Sequence, residues 1–175
     1  MNERSCPGCG LSMPASTTPL SGTYYNTSAE CWAVFGEVLA REYENAVLFG
    51  QVHQLTVDAY AAQHAGGPHP DKSVGVHLCG LHLVLVRGAH PMTVAPVLRA
   101  LASSVTSWPR FVPPPRPADA PTVIAAALAS DVEEHVAEVR RWASSVWASW
   151  GDWHHTIARI VAEHSRTVPP PAKRA

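Results

Sequence analysis

"TSAECWAVFGEVLAREY", residues 27–43, carries the pattern from which the fold class is predicted. Apolar residues recur in it at the spacing of one face of an α-helix. The residues of that face are Trp32, Phe35, Leu39 and Tyr43. Thr27 stands before the run as a candidate N-cap, and Glu30 follows three residues later, which is the capping-box pattern. The sequence therefore predicts a first helix over about residues 28–44, whose apolar face other helices must cover.

Three further segments repeat the helical spacing towards the middle of the chain. Apolar residues recur on one face through residues 47–64, then through residues 72–87 and 93–104. Glycines follow the first two of these segments, as they commonly do at helix C-termini. The valines of residues 72–87 also suit a strand, but the length of the segment favours a helix.

A proline-rich segment, "WPRFVPPPRPADAP" at residues 108–121, separates these helices from the last one. Proline lacks an N–H and interrupts helices, so we expect extended chain here, either as a boundary between two helical halves or as a strap packed by Trp108 and Phe111. Beyond it, Ser130 and Glu133 form a second capping-box pattern, and an apolar face runs on to Ile160 with an expected interruption at Gly151. We therefore predict an all-α fold, a bundle of about five to six helices.

Length and composition fit one domain. The chain has 175 residues, of which 46% are hydrophobic, and this is enough for a single core. We predict one helical domain over residues 1–165, which begins with an irregular arm at 1–26 and contains the connection at 108–121. Residues 166–175 are expected to be a disordered tail.

The charge and hydropathy of the chain narrow the classes of function. A formal net charge of −1 provides no basic field to attract a phosphate backbone, so we expect no nucleic-acid partner. No run approaches the roughly 20 apolar residues of a membrane span, and no apolar signal-peptide segment is recognisable. We expect a cytoplasmic protein without membrane contact, whose cysteines are metal ligands or buried thiols rather than disulfides.

The segment "SCPGCGLSM", residues 5–13, carries two cysteines two residues apart. A redox dithiol needs its first cysteine at the start of a helix that follows a buried strand, and polar, turn-rich sequence surrounds this pair instead. Pro7 and Gly8 favour a tight turn that directs both sulfurs at one ion. We interpret Cys6 and Cys9 as half of a Zn²⁺ site in a cysteine knuckle, with unligated thiols and a redox pair as the less favoured alternatives.

Zinc takes four ligands, so two more are needed. Cys31 is the natural third, since the first turn of a helix favours a thiolate, although a buried cysteine that packs beside Trp32 is the simpler alternative. If the first two helices form a hairpin that turns near residue 46, His64 lies at the Cys31 end. The predicted zinc ligands are Cys6, Cys9, Cys31 and His64, with His69 as the substitute for the fourth.

Histidines and a carboxylate on the second, third and last helices suggest a further site. Folding the third helix back on the second brings His77 near Asp58, and the last helix offers His154. Converging imidazoles and carboxylates form acid–base or metal sites in helical bundles. The simpler alternative is that each histidine bonds one neighbour and stabilises the core. The candidate catalytic residues are His53, Asp58, His77 and His154.

Four motifs occur in order along the chain: "CPGCG", "CWAVFGEVLAREY", "VHQLTVDAYAAQH" and "VHLCGLHLVLVRG". With them, roughly residues 4–165 resemble a family of uncharacterised bacterial proteins known only as a domain of unknown function. The resemblance implies a compact, mainly helical protein that begins with a cysteine knuckle. Cys79 and His82 depart from the family pattern, which lowers their standing as ligands. The residues that match it are Cys6, Cys9, Cys31, His53, Asp58, Tyr60, His64 and His77.

Two classes of function stay open at the level of sequence. The favoured one is a zinc-clipped helical protein with a structural Cys3His site that acts as a binding or adaptor module for an unknown protein or small molecule. The alternative is a small metalloenzyme of hydrolase or transferase type that uses the histidine and aspartate cluster between helices. A closed four-ligand zinc site favours the first, and a pocket with converging imidazoles favours the second.

Overall fold

Eight α-helices make up most of residues 3–15 and 24–164, the part of the chain that the computed structural model describes. In chain order they are α1 Ala29–Glu44, α2 Ala46–Gln51, α3 His53–Gln63, α4 Asp71–Leu81, α5 Pro91–Ser104, α6 Val123–Leu128, α7 Val132–Ser149 and α8 His154–His164. A π-helical turn, His82–Val86, extends α4, and a 3-10 turn, Gly151–Trp153, joins α7 to α8. The all-α prediction is confirmed. The predicted tail at 166–175 lies outside the described residues.

Helix α3 is the centre of the bundle. It packs against α1, α4, α5 and α7, and its residues are buried on every side rather than along one stripe. A helix surrounded in this way must also bury its polar side chains, which then need partners from the neighbouring helices. The buried polar residues of α3 are Thr56 and Asp58, and His64 follows at its C-cap.

Helix α1 begins one residue later than the capping-box pattern predicted. Ser28 is the N-cap, and its hydroxyl accepts a hydrogen bond from the backbone N–H of Cys31 at 3.2 Å. Thr27 lies one position outside the helix, where its hydroxyl contacts the Tyr60 hydroxyl at 2.7 Å. The buried face of α1 is also rotated from the predicted one. Its buried residues are Glu30, Cys31, Val34, Phe35, Val38 and Glu42, whereas Trp32 and Tyr43 are 40% and 66% exposed.

The helix predicted over residues 47–64 is divided in two. Asn45 caps α2 by accepting from the N–H groups of Val47 and Leu48, and Val52 then leaves the helical conformation with φ −138° and ψ −14°. The fully buried side chain of Val52 marks the point where the chain changes direction into α3. Helix α6 and a short hairpin were not predicted. In the hairpin β1, Glu3–Ser5, pairs antiparallel with β2, Ser12–Pro14.

The proline-rich segment after α5 is an extended strap, as the sequence indicated. Phe111 is 5% exposed and packs against Trp153 with ring centroids 4.8 Å apart. Its backbone N–H donates to Asp71 Oδ1 at 2.8 Å, so the strap is attached to the start of α4. The second capping motif is also shifted by one residue: Asp131 caps α7 by accepting from the N–H of Glu134, whose carboxylate accepts from Ser130.

No helix within residues 3–15 and 24–164 combines the length and the apolar character that are needed to cross a lipid bilayer.

Candidate metal centre

The cysteine knuckle is the turn between β1 and β2. The N–H of Cys6 donates to the carbonyl of Leu11 at 2.9 Å, and the N–H of Gly10 donates to the carbonyl of Cys6 at 2.8 Å. Gly10 has φ +70°, a left-handed conformation that glycine adopts without strain. The turn therefore holds Cys6 and Cys9 on the side of the hairpin that faces the helices.

Four side chains from three separate segments meet beside this turn. One potential ligand atom from each lies within 4.8 Å of every other. Cys9 Sγ is 3.6 Å from Cys31 Sγ, and Cys31 Sγ is 3.3 Å from His64 Nε2. All four side chains are buried, with at most 2% of their surface exposed. The members of this Cys3His cluster are Cys6, Cys9, Cys31 and His64.

The orientation of His64 suits a metal ligand. Its Nδ1 lies 2.7 Å from the carbonyl oxygen of Tyr60. Since a carbonyl only accepts, Nδ1 carries a proton, and Nε2 is the nitrogen that faces the sulfurs and would bind a metal. Metal-bound histidines usually donate their second N–H to an oxygen in this way, which fixes the tautomer and the ring plane.

Hydroxyl groups surround the sulfurs of the cluster. Thr27 Oγ1 lies 3.6 Å from Cys6 Sγ, and the hydroxyl of Tyr60 donates to Cys31 Sγ at 3.7 Å. The Tyr60 ring also stacks on the His64 ring, with centroids 3.9 Å apart. A thiolate gains stability from a donor such as the Tyr60 hydroxyl, so these hydroxyls would form the outer layer of a metal site.

The thiols of the cluster perturb one another strongly. Hydrogen bonds from Cys31 and Cys9 lower the pKa of Cys6 well below its ordinary range, whereas hydrogen bonds from Cys31 and Cys6 raise the pKa of Cys9. Burial alone would lower the pKa of His64, but its contacts with Cys31 and Cys6 raise it to about 9. Three adjacent buried sulfurs cannot all ionise without a cation, whereas a divalent metal would stabilise all of them as thiolates.

Gly8 allows the knuckle to approach α3 closely. A Cβ at this position would lie 2.6 Å from Cδ2 of His64 and closer still to the carbonyl oxygen of Asn26. The lack of a side chain at Gly8 is therefore what lets the hairpin and the C-terminal end of α3 share one cluster.

His69, the substitute fourth ligand, is not a member of the cluster. Its Nδ1 donates to the carbonyl of His64 at 3.2 Å, and its Nε2 accepts from the Ser73 hydroxyl at 2.8 Å. Burial lowers the pKa of His69 to about 4, so the ring is neutral at physiological pH. Through its bond to the His64 carbonyl, His69 fixes the position of the His64 backbone. Cys79 is buried in α4, where burial raises the pKa of its thiol to about 12.

The structure divides the four candidate catalytic residues among different partners. His77 Nδ1 donates to Asp58 Oδ1 at 2.8 Å, and Gln54 donates to the same oxygen at 2.9 Å. His53 bonds Glu42 instead. His154 bonds the carbonyl of Trp147 at 2.8 Å and stacks on its indole ring. Only His77 and Asp58 are therefore joined directly.

The two oxygens of the buried Asp58 carboxylate differ in their hydrogen bonds. Its side chain is fully buried, and Oδ2 has no hydrogen-bond partner among the described residues. Burial raises the pKa of Asp58, and the bonds from His77 and Gln54 offset this only in part. A Cβ at Gly80 would lie 2.6 Å from Asp58 Cγ, so the carboxylate rests directly on the backbone of α4.

A second buried carboxylate, Glu42, joins three helices and was missed from the sequence. It accepts from Thr56 Oγ1 at 2.5 Å, from His53 Nδ1 at 2.9 Å and from His135 Nε2 at 3.0 Å. Burial alone would raise the pKa of Glu42, but the bonds from His135, His53 and Thr56 outweigh it and lower the pKa. The network links α1, α3 and α7 inside the core.

A signal for Glu42 was present in the sequence. Glu42 continues the helical spacing of Cys31, Val34 and Val38, and a charged residue at a core position of a helix predicts a buried partner. His135 occupies the equivalent place on α7, ahead of Val139 on the same face.

The protein is mainly helical, and its N-terminal hairpin meets two helices at a buried Cys3His cluster. The chain belongs to the family of unknown function DUF5946, which matches residues 4–151. The predicted membership of an uncharacterised family is thus confirmed. The matched range contains the whole cluster and helices α1–α7. No curated protein and no solved structure matches the chain.

Proposed function

We propose that the protein is a binding module whose fold is stabilised by one structural zinc ion in the Cys3His cluster. The observation that carries the proposal is the approach of four buried ligand atoms to within 4.8 Å of one another. Three thiolates and one imidazole are a common donor set for structural zinc, which prefers four tetrahedral ligands from sulfur and nitrogen.

The burial of the cluster supports a structural zinc rather than a catalytic one. Catalytic zinc sites keep one position open for water or substrate, whereas structural sites use four protein ligands. Here four side chains supply the ligands, and each is at most 2% exposed. The zinc would join β1 and β2 to α1 and α3, and its binding free energy would contribute to folding.

A binding role is supported by a cleft next to the cluster. It has a volume of about 980 Å³ and lies between the strap, the end of α7 and the turn after α3. Clefts of several hundred cubic ångströms with a few polar groups are the usual sites for ligands. Pro7 and Gly8 of the knuckle form part of its wall, so the zinc would also fix one side of the cleft.

Metal analysis tests the zinc site. Protein purified from zinc-replete cells should contain about one zinc per chain. Replacement by Co²⁺ should give the intense visible bands of a tetrahedral thiolate site. His53→Ala is the matched control, because His53 lies at the opposite end of α3, contacts Glu42 and offers no ligand atom to the cluster. It should retain the metal, whereas His64→Ala should lose it. Folded, metal-free protein would contradict the proposal.

A second candidate function is acid–base catalysis at His77. Asp58 fixes Nδ1 of His77 at 2.8 Å, and the His77 side chain is 16% exposed. A buried carboxylate that orients an imidazole in this way is the arrangement of general bases in hydrolases.

Acylation by diethyl pyrocarbonate tests this candidate without a known substrate. His77 should react faster than exposed His155, and Asp58→Asn should slow the reaction of His77 while leaving that of His155 unchanged. Equal rates at His77 in both proteins would show that Asp58 does not activate the imidazole.

A further inference from the structure

One segment of the strap covers the cleft beside the Cys3His cluster, and we call this segment the roof of the cleft. Residues 112–115 of the strap cross it between two attachments, the bond from the Phe111 N–H to Asp71 and a bond from Arg116 Nη1 to the Gly8 carbonyl at 2.5 Å. Between these attachments no described group bonds the strap, and three of its four residues are prolines, which have no N–H to donate. The roof is therefore anchored at its two ends, and the cleft lies between its middle part and the end of α7.

Unused hydrogen-bond donors line the cleft. Arg110 is exposed, and no described residue forms an ion pair or hydrogen bond with its side chain. The N–H groups of Gly66 and Gly67, in the turn after α3, also donate to no described group. Arg116 uses one of its N–H groups on Gly8 and keeps the others. The cleft therefore offers donors and positive charge to whatever occupies it.

Negative charge is scarce in the same lining. Asp71 is the one acidic residue among the described residues that line the cleft, and one of its oxygens already accepts from the Phe111 N–H. Arg110 and Arg116 therefore outnumber it. The guanidinium of arginine suits carboxylate and phosphate oxygens because it donates two parallel hydrogen bonds.

Apolar side chains face each other across part of the cleft. Pro113, Pro114 and Pro115 form the roof, and Ala148 and Trp150 line the side at the end of α7. We propose that the cleft binds an organic anion, in which a carboxylate contacts Arg110 and an aromatic or aliphatic body lies between the proline roof and α7. This deepens the proposed function, since it assigns a ligand class to the binding module.

The test compares three small molecules of equal shape and different charge: 1-naphthoate, 1-naphthalenemethanol and 1-naphthylmethylammonium. Each is titrated into zinc-loaded protein by calorimetry and by amide chemical shifts of Gly66 and Gly67. Naphthoate should bind about five-fold more tightly than the alcohol, the gain expected from one partly exposed charge pair, and the ammonium should bind most weakly. Arg110→Gln should remove the preference for naphthoate.

Two further variants keep the test decisive. Ala148→Phe fills the cleft from an exposed position on α7 and should weaken all three ligands. Arg99→Gln removes an equally exposed arginine from α5, outside the cleft, and should change nothing. The zinc content and melting temperature of each variant serve as folding controls, and naphthoate binding is compared only among variants that match the wild type in both.

The proposal fails if naphthoate does not bind at about 5 mM, if the ammonium binds as tightly, or if Arg99→Gln weakens naphthoate as much as Arg110→Gln does. Any of these results in a protein that holds one zinc per chain would overturn the ligand class alone. Failure of the structural zinc proposal would instead be seen as folded, metal-free protein in the metal analysis, which is independent of ligand binding in the cleft.

Discussion

Replacing Gly80 by alanine should disrupt the core of the bundle, because the new methyl group has no room. Its Cβ would lie 2.6 Å from Cγ and 2.9 Å from Oδ1 of Asp58. Asp58 cannot move away freely, since it is fully buried and bonded to His77 and Gln54. Gly80 does not have positive φ, so the effect would come from contact and not from backbone strain.

The expected cost combines two contributions. Overpacking a core costs roughly 1–3 kcal/mol, and losing one buried hydrogen bond of the carboxylate adds roughly 1–3 kcal/mol. We therefore expect a loss of about 3 kcal/mol. In a chain of this size, that loss lowers the melting temperature by roughly 6–12 °C.

Gly36→Ala is the matched control. Gly36 also lies inside a helix, but nothing stands within 4 Å of the position of its missing Cβ. Alanine should stabilise α1 by roughly 0.5–1 kcal/mol through its higher helix propensity. Both variants would be compared with the wild type by thermal and urea denaturation at saturating zinc. If Gly80→Ala were as stable as the wild type, the described burial of Asp58 against α4 would be wrong.

Three further predictions concern the metal cluster and the two fully buried carboxylates, Glu42 and Asp58. Gly8→Ala should lower zinc affinity while leaving α4–α8 folded, because its Cβ would displace the His64 ring; a competition titration with a chelator measures this. Glu42→Gln should be less stable than the wild type at neutral pH, because folding lowers the pKa of Glu42 and so stabilises its ionised form. This stabilisation is complete above the ordinary pKa of about 4.5 and is lost as the pH falls towards the lowered pKa, so the difference between the two proteins should shrink there. Asp58→Asn should show the opposite pH dependence. Folding raises the pKa of Asp58, so protonation of this carboxylate favours the folded state, and the stability of the wild type relative to the variant should increase as the pH falls. Urea denaturation of each variant and the wild type across pH 3–7 measures how their stability difference changes with pH. A change in the same direction for both variants would contradict the assigned pKa shifts of Glu42 and Asp58.

Most of the helical segments and the cysteine knuckle could be predicted because their signals are local. The spacing of apolar residues indicates a helix wherever it occurs, and the Pro7 and Gly8 turn directs two sulfurs to one side of a hairpin whatever surrounds it. The approach of His64 to Cys31 also followed from local reasoning, since two antiparallel helices joined by a short turn place their distal ends together.

Non-local packing decided what the sequence analysis missed. The choice of the α1 face failed because Trp32 and Tyr43 are large and apolar, yet they are 40% and 66% exposed, while Glu42 is fully buried. Only the positions of Thr56 and His135 on other helices make a buried glutamate acceptable there. In the same way, the partners of His53 and His154 depend on where α1 and α7 pass, which no spacing within α3 or α8 reveals.

The zinc content of two histidine variants is the sharpest test of the Cys3His zinc site. His64→Ala and His53→Ala each remove a histidine that lies at one end of α3. Only His64 contributes a ligand atom to the cluster, whereas His53 contacts Glu42. We expect about one zinc per chain in the wild type and in His53→Ala, and a large loss in His64→Ala. Equal zinc content in the two variants, or wild-type protein that folds without zinc, would contradict the assignment of the site.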